Sequence, residues 1–248
     1  METFKAEGIV LNTVDFGDAN RVVTLYTKEF GKIEVNAYGC RRVKSPLSGA
    51  TQMFNHIVVE LSRGVKVETI RSADILHFYK NLTADLERLG YAALFFEIVN
   101  RMTLPKLPEL SIYNLLVKSL PVLDKRNPRI AALIGACQFM QYCGVQLNFT
   151  HCVHCGEKIF GDAGISLEDG GAVCMECIEK ASDISTYPES LRLTFEKMLS
   201  FDWKEETQLT FKPRQLLSAE KFFLDYVRLT IGKELNSTKF LRQIQTNF

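Results

Sequence analysis

The sequence lacks any hydrophobic run long enough to cross a membrane, since stretches such as YAALFF are far shorter than a bilayer-spanning helix requires. Its N-terminal segment METFKAEGIVLN has no charged-then-apolar signal pattern. The composition, with 46% hydrophobic and 24% charged residues and no low-complexity run or obvious repeat, is typical of a globular protein. We therefore expect a cytoplasmic protein of one to two domains that makes no membrane contact.

The sequence also lacks the common catalytic motifs. It has no G-x-x-x-x-G-K-[ST] phosphate loop and no G-x-G-x-x-G that opens a helix after a strand. His56 and His77 have no Cys or Ser beside them in a recognisable nucleophile motif, and the carboxylates are scattered. These absences together favour a protein that is not an enzyme.

A strong net charge is missing too, because the formal net charge is only +1. The charges are nevertheless segregated along the chain: residues 21–71 hold nine Lys/Arg against four Asp/Glu, whereas residues 151–190 hold two against eight. From residue 204 onward the balance is positive again, eight against five. This pattern indicates a basic face for a polyanion and a separate acidic module.

The first part of the chain has the composition of β-structure. GIVLNTVDF, RVVTLYTKEFGKIEVNAYG and FNHIVVELSRGVKVETI are rich in β-branched and aromatic residues and are separated by glycines. In KIEVNAYG the apolar residues Ile33, Val35 and Ala37 alternate with polar ones. About five short strands in this length fit a small barrel such as an OB-fold, and an SH3-like barrel or a small open sandwich fits nearly as well.

From about Asn81 the hydrophobic period becomes helical, beginning with DLERLGYAALFFEIVNRM. SIYNLLVKSLPVL and PRIAALIGACQFMQYCG read as two further helices after the breaker LPKLPEL. LLSAEKFFLDYVRLTIGKEL reads as an amphipathic C-terminal helix that ends near Gly232. We expect these helices to pack together as one body.

Four of the seven cysteines form two C-x-x-C pairs, Cys152 with Cys155 and Cys174 with Cys177. Eighteen residues separate the pairs, which lies within the spacing window of a four-cysteine zinc site. Two residues between thiolates let a tight turn aim both sulfurs at one ion, and two such turns complete a closed tetrahedron. ISLEDGGAVC reads as a short hairpin that presents the second pair. The pattern therefore predicts one structural Zn²⁺ ion.

Three other interpretations of these cysteines stay open. A redox C-x-x-C site is possible, although such sites use one pair beside a helix. Two disulfides would suit a secreted protein, for which no signal peptide is present. His151 or His154 could replace one thiolate, because HCVHC interleaves both ligand types.

The stretch YGCRRVKSPLSG places Arg41, Arg42 and Lys44 between a glycine and a proline. Charge runs between strands are often only solvated loops that keep sheet edges soluble. The alternative is a phosphate-binding loop. The composition of the loop does not decide between the two.

As a whole, the chain resembles the RecO family of bacterial recombination mediators. The resemblance covers nearly the full length and follows the family's order, through GIVLNTVDFGDANRVVTLYTKEFGKI, AYGCRRVKSPLSG, TQMFNHIVVELSRG, DLERLGYAALFFEIVNR, CGVQLNFTHCVHCGE and IGKELNSTKFL. It implies an α+β protein: an N-terminal OB-fold β-barrel, then an all-helical body with an inserted four-cysteine zinc ribbon. We divide it into an OB-fold at residues 1–80, a helical body at 81–150, a zinc-binding insertion at 151–182, and a C-terminal helical part at 183–248 that packs on the helical body.

The resemblance also implies the function and the partners. The family binds single- and double-stranded DNA, anneals complementary strands and, with RecR, displaces single-strand-binding protein so that RecA loads in DNA repair and homologous recombination. A bacterial, nucleoid-associated location follows. Carried over by position, the phosphate contacts are Arg21, Lys32, Arg41, Arg42 and Lys44. Lys28, Arg63, Lys66 and Arg71 share the region, and Tyr26, Phe30 and Tyr38 are candidate stacking platforms that core or plain surface positions explain as well.

Two other functions compete with the mediator interpretation. One is a barrel and zinc-ribbon adaptor that makes protein–protein contacts and has only incidental DNA affinity. The other is a zinc-dependent enzyme of unrecognised type, which four thiolates argue against because they leave the metal no open position.

Overall fold

The computed structural model describes residues 2–64, 67–204 and 210–246. The chain divides into two compact units, the first formed by Met1–Ala132 with Leu235–Phe248 and the second by Leu133–Glu234. The four-part domain division predicted from the sequence stays a prediction.

Five strands of the first unit form a closed barrel in the order β1-β2-β3-β5-β4. The strands are β1 (Thr3–Phe16), β2 (Asn20–Thr27), β3 (Gly31–Ala37), β4 (His56–Ser62) and β5 (Glu68–His77). The four-residue helix α1 (Leu47–Ala50) lies between β3 and β4. This five-stranded closed barrel, with its order β1-β2-β3-β5-β4, agrees with the predicted OB-fold and excludes the open sandwich.

Closure of the barrel depends on β1, which pairs with two strands. Its first half, Thr3–Ile9, is antiparallel to β4, and its second half, Gly8–Phe16, is antiparallel to β2. A register shift between Val10 and Asn12 bends the strand. A Cβ atom at Gly8 would lie 2.9 Å from the Tyr26 carbonyl oxygen, so the strand overlap requires glycine there.

The barrel core follows from the alternation in the sequence. Ile33, Val35 and Ala37 point inward and are buried, whereas Glu34 is exposed on the outer face of β3. β3 and β5 are joined by a short parallel ladder, in which Val35 pairs with Glu68 and Asn36 pairs with Thr69. In OB-folds the face of the second and third strands commonly carries the ligand, which here is the outer face of β2 and β3.

Helices cover part of the barrel. In the first unit they are α2 (Lys80–Ala84), α3 (Leu86–Met102), α4 (Leu110–Lys125) and α8 (Asn236–Thr246). α3 packs against α8, and a Cβ atom at Gly90 would lie 2.6 Å from the Leu241 Cδ2 atom. The Glu97 carboxylate accepts hydrogen bonds from the backbone N–H groups of Asn236 and Ser237, which caps the start of α8.

The second unit contains the cysteine ribbon and further helices. Helix α5 (Pro128–Tyr142) passes from the first unit into the second. The ribbon sheet has the order β7-β6-β8, and its hairpin confirms the turn predicted in ISLEDGGAVC. The elements are β6 (Ala163–Ser166), β7 (Gly171–Val173), a 3-10 helix (Met175–Lys180), β8 (Ser185–Tyr187), α6 (Glu189–Leu199) and α7 (Pro213–Ile231). α7 ends at its C-cap Gly232, as predicted. α6 packs against α7.

Candidate nucleic-acid interface and cysteine cluster

The basic loop, residues 38–46, joins β3 to α1 as a series of turns. The Arg42 N–H donates to the Gly39 carbonyl at 3.2 Å, and the Ser45 N–H donates to the Arg42 carbonyl at 2.9 Å. Arg41, Arg42 and Lys44 are all exposed. Within the described residues, no ion pair is formed by Arg42 or Lys44. The loop thus presents cations that backbone turns hold in place.

Asp15 organises two of the predicted cationic residues. Its carboxylate accepts from Arg21 Nε at 2.8 Å and lies 3.2 Å from Arg41 Nε. The Arg21 guanidinium, and Arg41 with it, holds the pKa of Asp15 below its usual range. Arg21 also donates to the Thr51 carbonyl, so part of its hydrogen-bonding capacity is used within the barrel. Sequence reasoning missed Asp15, although the hairpin register places it directly opposite Arg21.

Lys32 lies apart from these residues. It is five ladder positions along β2–β3 from Arg21, about 17 Å at the rise of a β-strand. Its Nζ atom donates to the Asn100 carbonyl at 2.5 Å, and burial lowers its pKa. Its carbonyl accepts from the Lys106 N–H at 2.9 Å. The structure therefore does not bring Lys32 together with the basic loop.

The hairpin end of the β2–β3 face lies under residues 100–109, which include the linker between α3 and α4. Tyr26, opposite Lys32 on this face, is fully buried, and its hydroxyl donates to the Glu109 carbonyl at 3.4 Å. We call this the covered end, defined by Tyr26 and Lys32. The open end is the opposite end of β2–β3, defined by Arg21, Asn36, Tyr38, Arg41, Arg42 and Lys44. Arg21 pairs with the inward-pointing Ala37, so its side chain lies on the inner side of the sheet, toward Thr51, whereas Asn36 lies on the outer face.

The structure sorts the three aromatic candidates. Tyr26 is in the core of the covered end, and Phe30, at the β2–β3 turn, packs edge-to-face on Phe4 with 38% of its surface exposed. Tyr38 is 55% exposed at the open end. Of the three, only Tyr38 belongs to the basic loop.

The remaining basic residues of the barrel are dispersed. Arg63 Nε lies 3.4 Å from a Glu2 carboxylate oxygen, and Arg71 Nε donates to the Ser62 hydroxyl at 2.9 Å. Lys28 is exposed near the β2–β3 turn. Lys66 lies outside the described residues.

The ribbon brings the four predicted cysteines together. The Sγ atoms of Cys152, Cys155, Cys174 and Cys177 all lie within 4.8 Å of one another, and those of Cys155 and Cys174 are 3.7 Å apart. Four thiolates around one tetrahedral Zn²⁺ are expected about 3.8 Å apart, given Zn–S bonds of about 2.3 Å. None of the four forms a disulfide. The cluster therefore has the donor chemistry and the spacing to hold one metal ion.

Backbone turns shape this cluster. The Gly156 N–H donates to the Cys152 carbonyl at 2.9 Å, and Gly156 has a φ of +78°, which glycine adopts without strain. Burial acts to raise the pKa of Cys152, but nearby backbone N–H donors outweigh it and hold that pKa at about 6. Burial raises the pKa of Cys177 to about 12. Because four close thiolates repel one another, a bound dication would stabilise their ionised form.

The two histidines of HCVHC have other partners. His154 Nε2 lies 3.1 Å from an Asp169 carboxylate oxygen, and His151 Nδ1 lies 2.9 Å from the Thr150 hydroxyl. The four ligand atoms brought together are thus all sulfurs.

His56, considered above as a catalytic residue, belongs to a structural cluster that sequence reasoning missed. Its Nε2 atom lies 2.9 Å from a Glu7 carboxylate oxygen and 3.0 Å from the Tyr113 hydroxyl, which donates to the same carboxylate at 2.7 Å. Burial lowers the pKa of His56, although Glu7 opposes the shift. The cluster attaches α4 to β1 and β4, and no motif links three residues so distant in sequence.

Two family models together match nearly the whole chain. The model of the recombination protein O N terminal region matches residues 1–79, which is the barrel, and that of the recombination protein O C terminal region matches residues 83–239. The chain belongs to the RecO family. The resemblance inferred from the sequence is thereby confirmed. RecO is a family of DNA repair mediators and is not a known class of enzyme.

Curated RecO relatives align over almost the whole chain. A protein named "DNA repair protein RecO" from Bacillus pumilus is 30% identical over 244 residues, covering 98% of this chain and 94% of the relative. Those from Bacillus subtilis and Halalkalibacterium halodurans are 29% and 26% identical, each covering 98% of this chain and 95% of the relative. Among the described residues of this RecO chain, none of the helices is long and apolar enough to cross a bilayer.

Proposed function

We propose that this RecO chain is a DNA repair and homologous recombination mediator. It binds single- and double-stranded DNA, anneals complementary strands and, with RecR, helps to load RecA on DNA covered by single-strand-binding protein. It does so without catalysing a reaction, in the cytoplasm and associated with the nucleoid. The observation that carries the proposal is the group of exposed cations, Arg41, Arg42 and Lys44, at the open end of an OB-fold face.

Capture of the DNA backbone follows from the charge at the open end. Cationic side chains that neutralise phosphates release condensed counterions, which makes binding favourable and dependent on salt. The open end holds four positive charges, those of Arg21, Arg41, Arg42 and Lys44. Asp15 offsets one of them and pairs with Arg21 and Arg41, so Arg42 and Lys44 are the most available phosphate contacts. Annealing requires that the repulsion between two polyanionic strands be screened, and a basic face supplies that screening.

The test is anisotropy of a fluorescent single-stranded oligonucleotide at several salt concentrations. The variant is Arg41→Ala/Arg42→Ala/Lys44→Ala. The matched control, Arg214→Ala/Lys221→Ala/Arg228→Ala, removes the same charges from exposed positions of α7. If the loop contacts three phosphates, its variant should make the negative slope of log K against log salt shallower by about 2, and the control should leave it unchanged.

Two other results would reject parts of this proposal. Equal slopes for wild type and both variants would locate the DNA surface away from the basic loop. A wild-type protein that fails to bind any oligonucleotide at low salt would favour the adaptor function, in which the barrel and ribbon make protein contacts.

We further propose that Cys152, Cys155, Cys174 and Cys177 hold one structural Zn²⁺ ion. The spacing of their sulfurs supports this, and four thiolates leave no open coordination position for catalysis. Protein purified without chelator should contain about one zinc per chain. Cys174→Ser should lose most of the metal and melt at a lower temperature, because binding of a structural zinc contributes to folding.

The control for the zinc site is Cys143→Ser, which changes a cysteine outside the cluster. That variant should keep the wild-type zinc content. Full zinc occupancy in Cys174→Ser would argue against the four-cysteine ligand set and would indicate that His151 or His154 is a ligand.

A further inference from the structure

We propose that Tyr38 is a stacking platform for one nucleobase of a single strand held at the open end. The proposal deepens the DNA-binding function proposed above and rests on it. It gives this RecO chain a contact that duplex DNA cannot make in the same way, since duplex bases are already stacked and paired. The open end would then read the single-stranded state of DNA as well as its charge.

The geometry of the Tyr38 ring leaves room for a base. Tyr38 is 55% exposed, and its ring lies edge-to-face with that of Phe16, with centroids 6.0 Å apart and an interplanar angle of 77°. In an edge-to-face pair, one ring covers at most one face of the other. At least one face of the Tyr38 ring is therefore not covered by Phe16.

The ring is also held in place before any ligand arrives. Phe16 ends β1, and the Asn36 amide lies 3.5 Å from the Tyr38 hydroxyl. The next residue is anchored too, because the Gly39 N–H donates to the Asn20 side-chain oxygen at 2.9 Å. A preordered aromatic ring loses little conformational entropy on binding, so more of the stacking energy appears as affinity.

The residues that follow this ring in the basic loop supply cations for the backbone of a bound strand. The Arg42 side chain passes beside Gly39, where its Nε atom would lie 3.7 Å from an added Cβ atom. Arg41 is fixed by Asp15 at 3.2 Å. Single-strand-binding surfaces combine such a positively charged track for the phosphates with an aromatic platform for the bases.

The other two aromatic candidates do not combine these features. Tyr26 has no exposed surface, since it lies under the chain near Glu109. Phe30 is partly exposed but sits at the β2–β3 turn, beyond the covered Lys32 and away from the basic loop. Phe30 is therefore a suitable control position.

The experiment compares wild type with Tyr38→Leu, Tyr38→Phe and the control Phe30→Leu. Each is titrated with a single strand, with an abasic single strand of the same length and charge, and with a duplex. Tyr38→Leu should bind the ordinary single strand about five- to tenfold more weakly, the effect expected for the loss of one base–aromatic stack. Its binding to the abasic strand and the duplex should stay within about twofold of wild type. Phe30→Leu should match wild type on all three ligands. Tyr38→Phe keeps the ring and loses only the hydroxyl contact with Asn36, so its binding should stay within about twofold of wild type.

Equal weakening of Tyr38→Leu on the ordinary and abasic strands would overturn the stacking proposal while leaving DNA binding intact. Failure of wild type to bind any strand would instead reject the proposed function itself. A Tyr38→Trp variant provides a second readout if Tyr38→Leu folds poorly. Its tryptophan fluorescence should be quenched by the ordinary single strand and not by the abasic strand, measured against the wild-type signal of Trp203. No quenching would overturn the proposal.

Discussion

The two ends of the β2–β3 face carry similar residues in different environments. At the open end, Tyr38 and Arg42 are exposed and backbone turns hold the loop around them. At the covered end, Tyr26 and Lys32 point outward from the same sheet but lie under residues 100–109, to which both donate hydrogen bonds. The same residue types thus attach the helices at one end and stay accessible to a ligand at the other.

The difference shows how an OB-fold limits its own binding surface. A bare β2–β3 face would offer a ligand the whole length of the strands. Here the α3–α4 linker pairs with the start of β3, because the Lys106 N–H donates to the Lys32 carbonyl, and the end of the face at Tyr26 and Lys32 is covered. Any polyanion on this face is restricted to the end near the basic loop.

The largest effect expected from this comparison concerns two glycines at opposite ends of β3. Gly31 and Gly39 have nearly the same φ, +64° and +65°, so alanine at either position costs about 1–2 kcal/mol of backbone strain. Only at Gly31 would the new Cβ atom also collide with backbone, namely the Leu107 carbonyl. Gly31→Ala should therefore destabilise the protein by about 1–3 kcal/mol more than Gly39→Ala.

Urea unfolding of the two variants side by side measures this difference. Gly39→Ala serves as the control for backbone strain, because its Cβ atom meets only the flexible Arg42 side chain at 3.7 Å. Equal destabilisation by the two changes would mean that the linker does not press on the covered end.

A smaller effect is expected at the cluster that holds α4 on the barrel. Tyr113→Phe removes the hydroxyl that donates to the Glu7 carboxylate at 2.7 Å, and it should cost about 1 kcal/mol near pH 7. Tyr142→Phe, at an exposed tyrosine of α5, is the control and should cost almost nothing.

The pH dependence sharpens this prediction. The Tyr113 hydrogen bond is the main cause that lowers the pKa of Glu7 below 4.5. A lowered carboxyl pKa contributes stability that is present above the unfolded-state pKa and is lost as the pH falls through the folded-state pKa. The difference in unfolding free energy between wild type and Tyr113→Phe should therefore narrow as the pH falls below about 4.5. A difference that stays constant while the pH falls from 7 to well below 4.5 would contradict the role of this bond.

Local sequence patterns predicted the barrel strands, the helices α3, α4, α5 and α7, and the cysteine cluster. Apolar and polar residues alternate in KIEVNAYG because one face of the strand is buried. The two sulfurs of each C-x-x-C pair are brought together by a single local turn. The family resemblance selected the OB-fold among the small β-folds that fit the strand pattern, and it supplied the expected partners. These features depend on residues close together in the chain, or on an order of segments that the whole sequence displays.

The accessibility of the basic and aromatic residues could not be predicted in this way. Lys32 and Arg41 are both cationic residues of the barrel region, and the sequence does not indicate that only Lys32 is covered. Lys32 is covered by the chain at Asn100, nearly seventy residues away. Tyr26 and Tyr38 differ for the same reason, because only Tyr26 lies under the chain near Glu109. The Asp15 pair with Arg21 was within reach, since it crosses a short hairpin that the sequence indicates.

The most direct test of the account compares two double variants that remove equal charge from the two ends of this face. Arg41→Ala/Arg42→Ala should make the negative slope of log K against log salt for single-stranded DNA shallower by about 1.4, as expected for two lost phosphate contacts. Lys28→Ala/Lys32→Ala, at the hairpin end, should leave that slope at the wild-type value while both proteins remain folded. A larger loss of slope in the second variant than in the first would contradict the claim that the open end binds DNA.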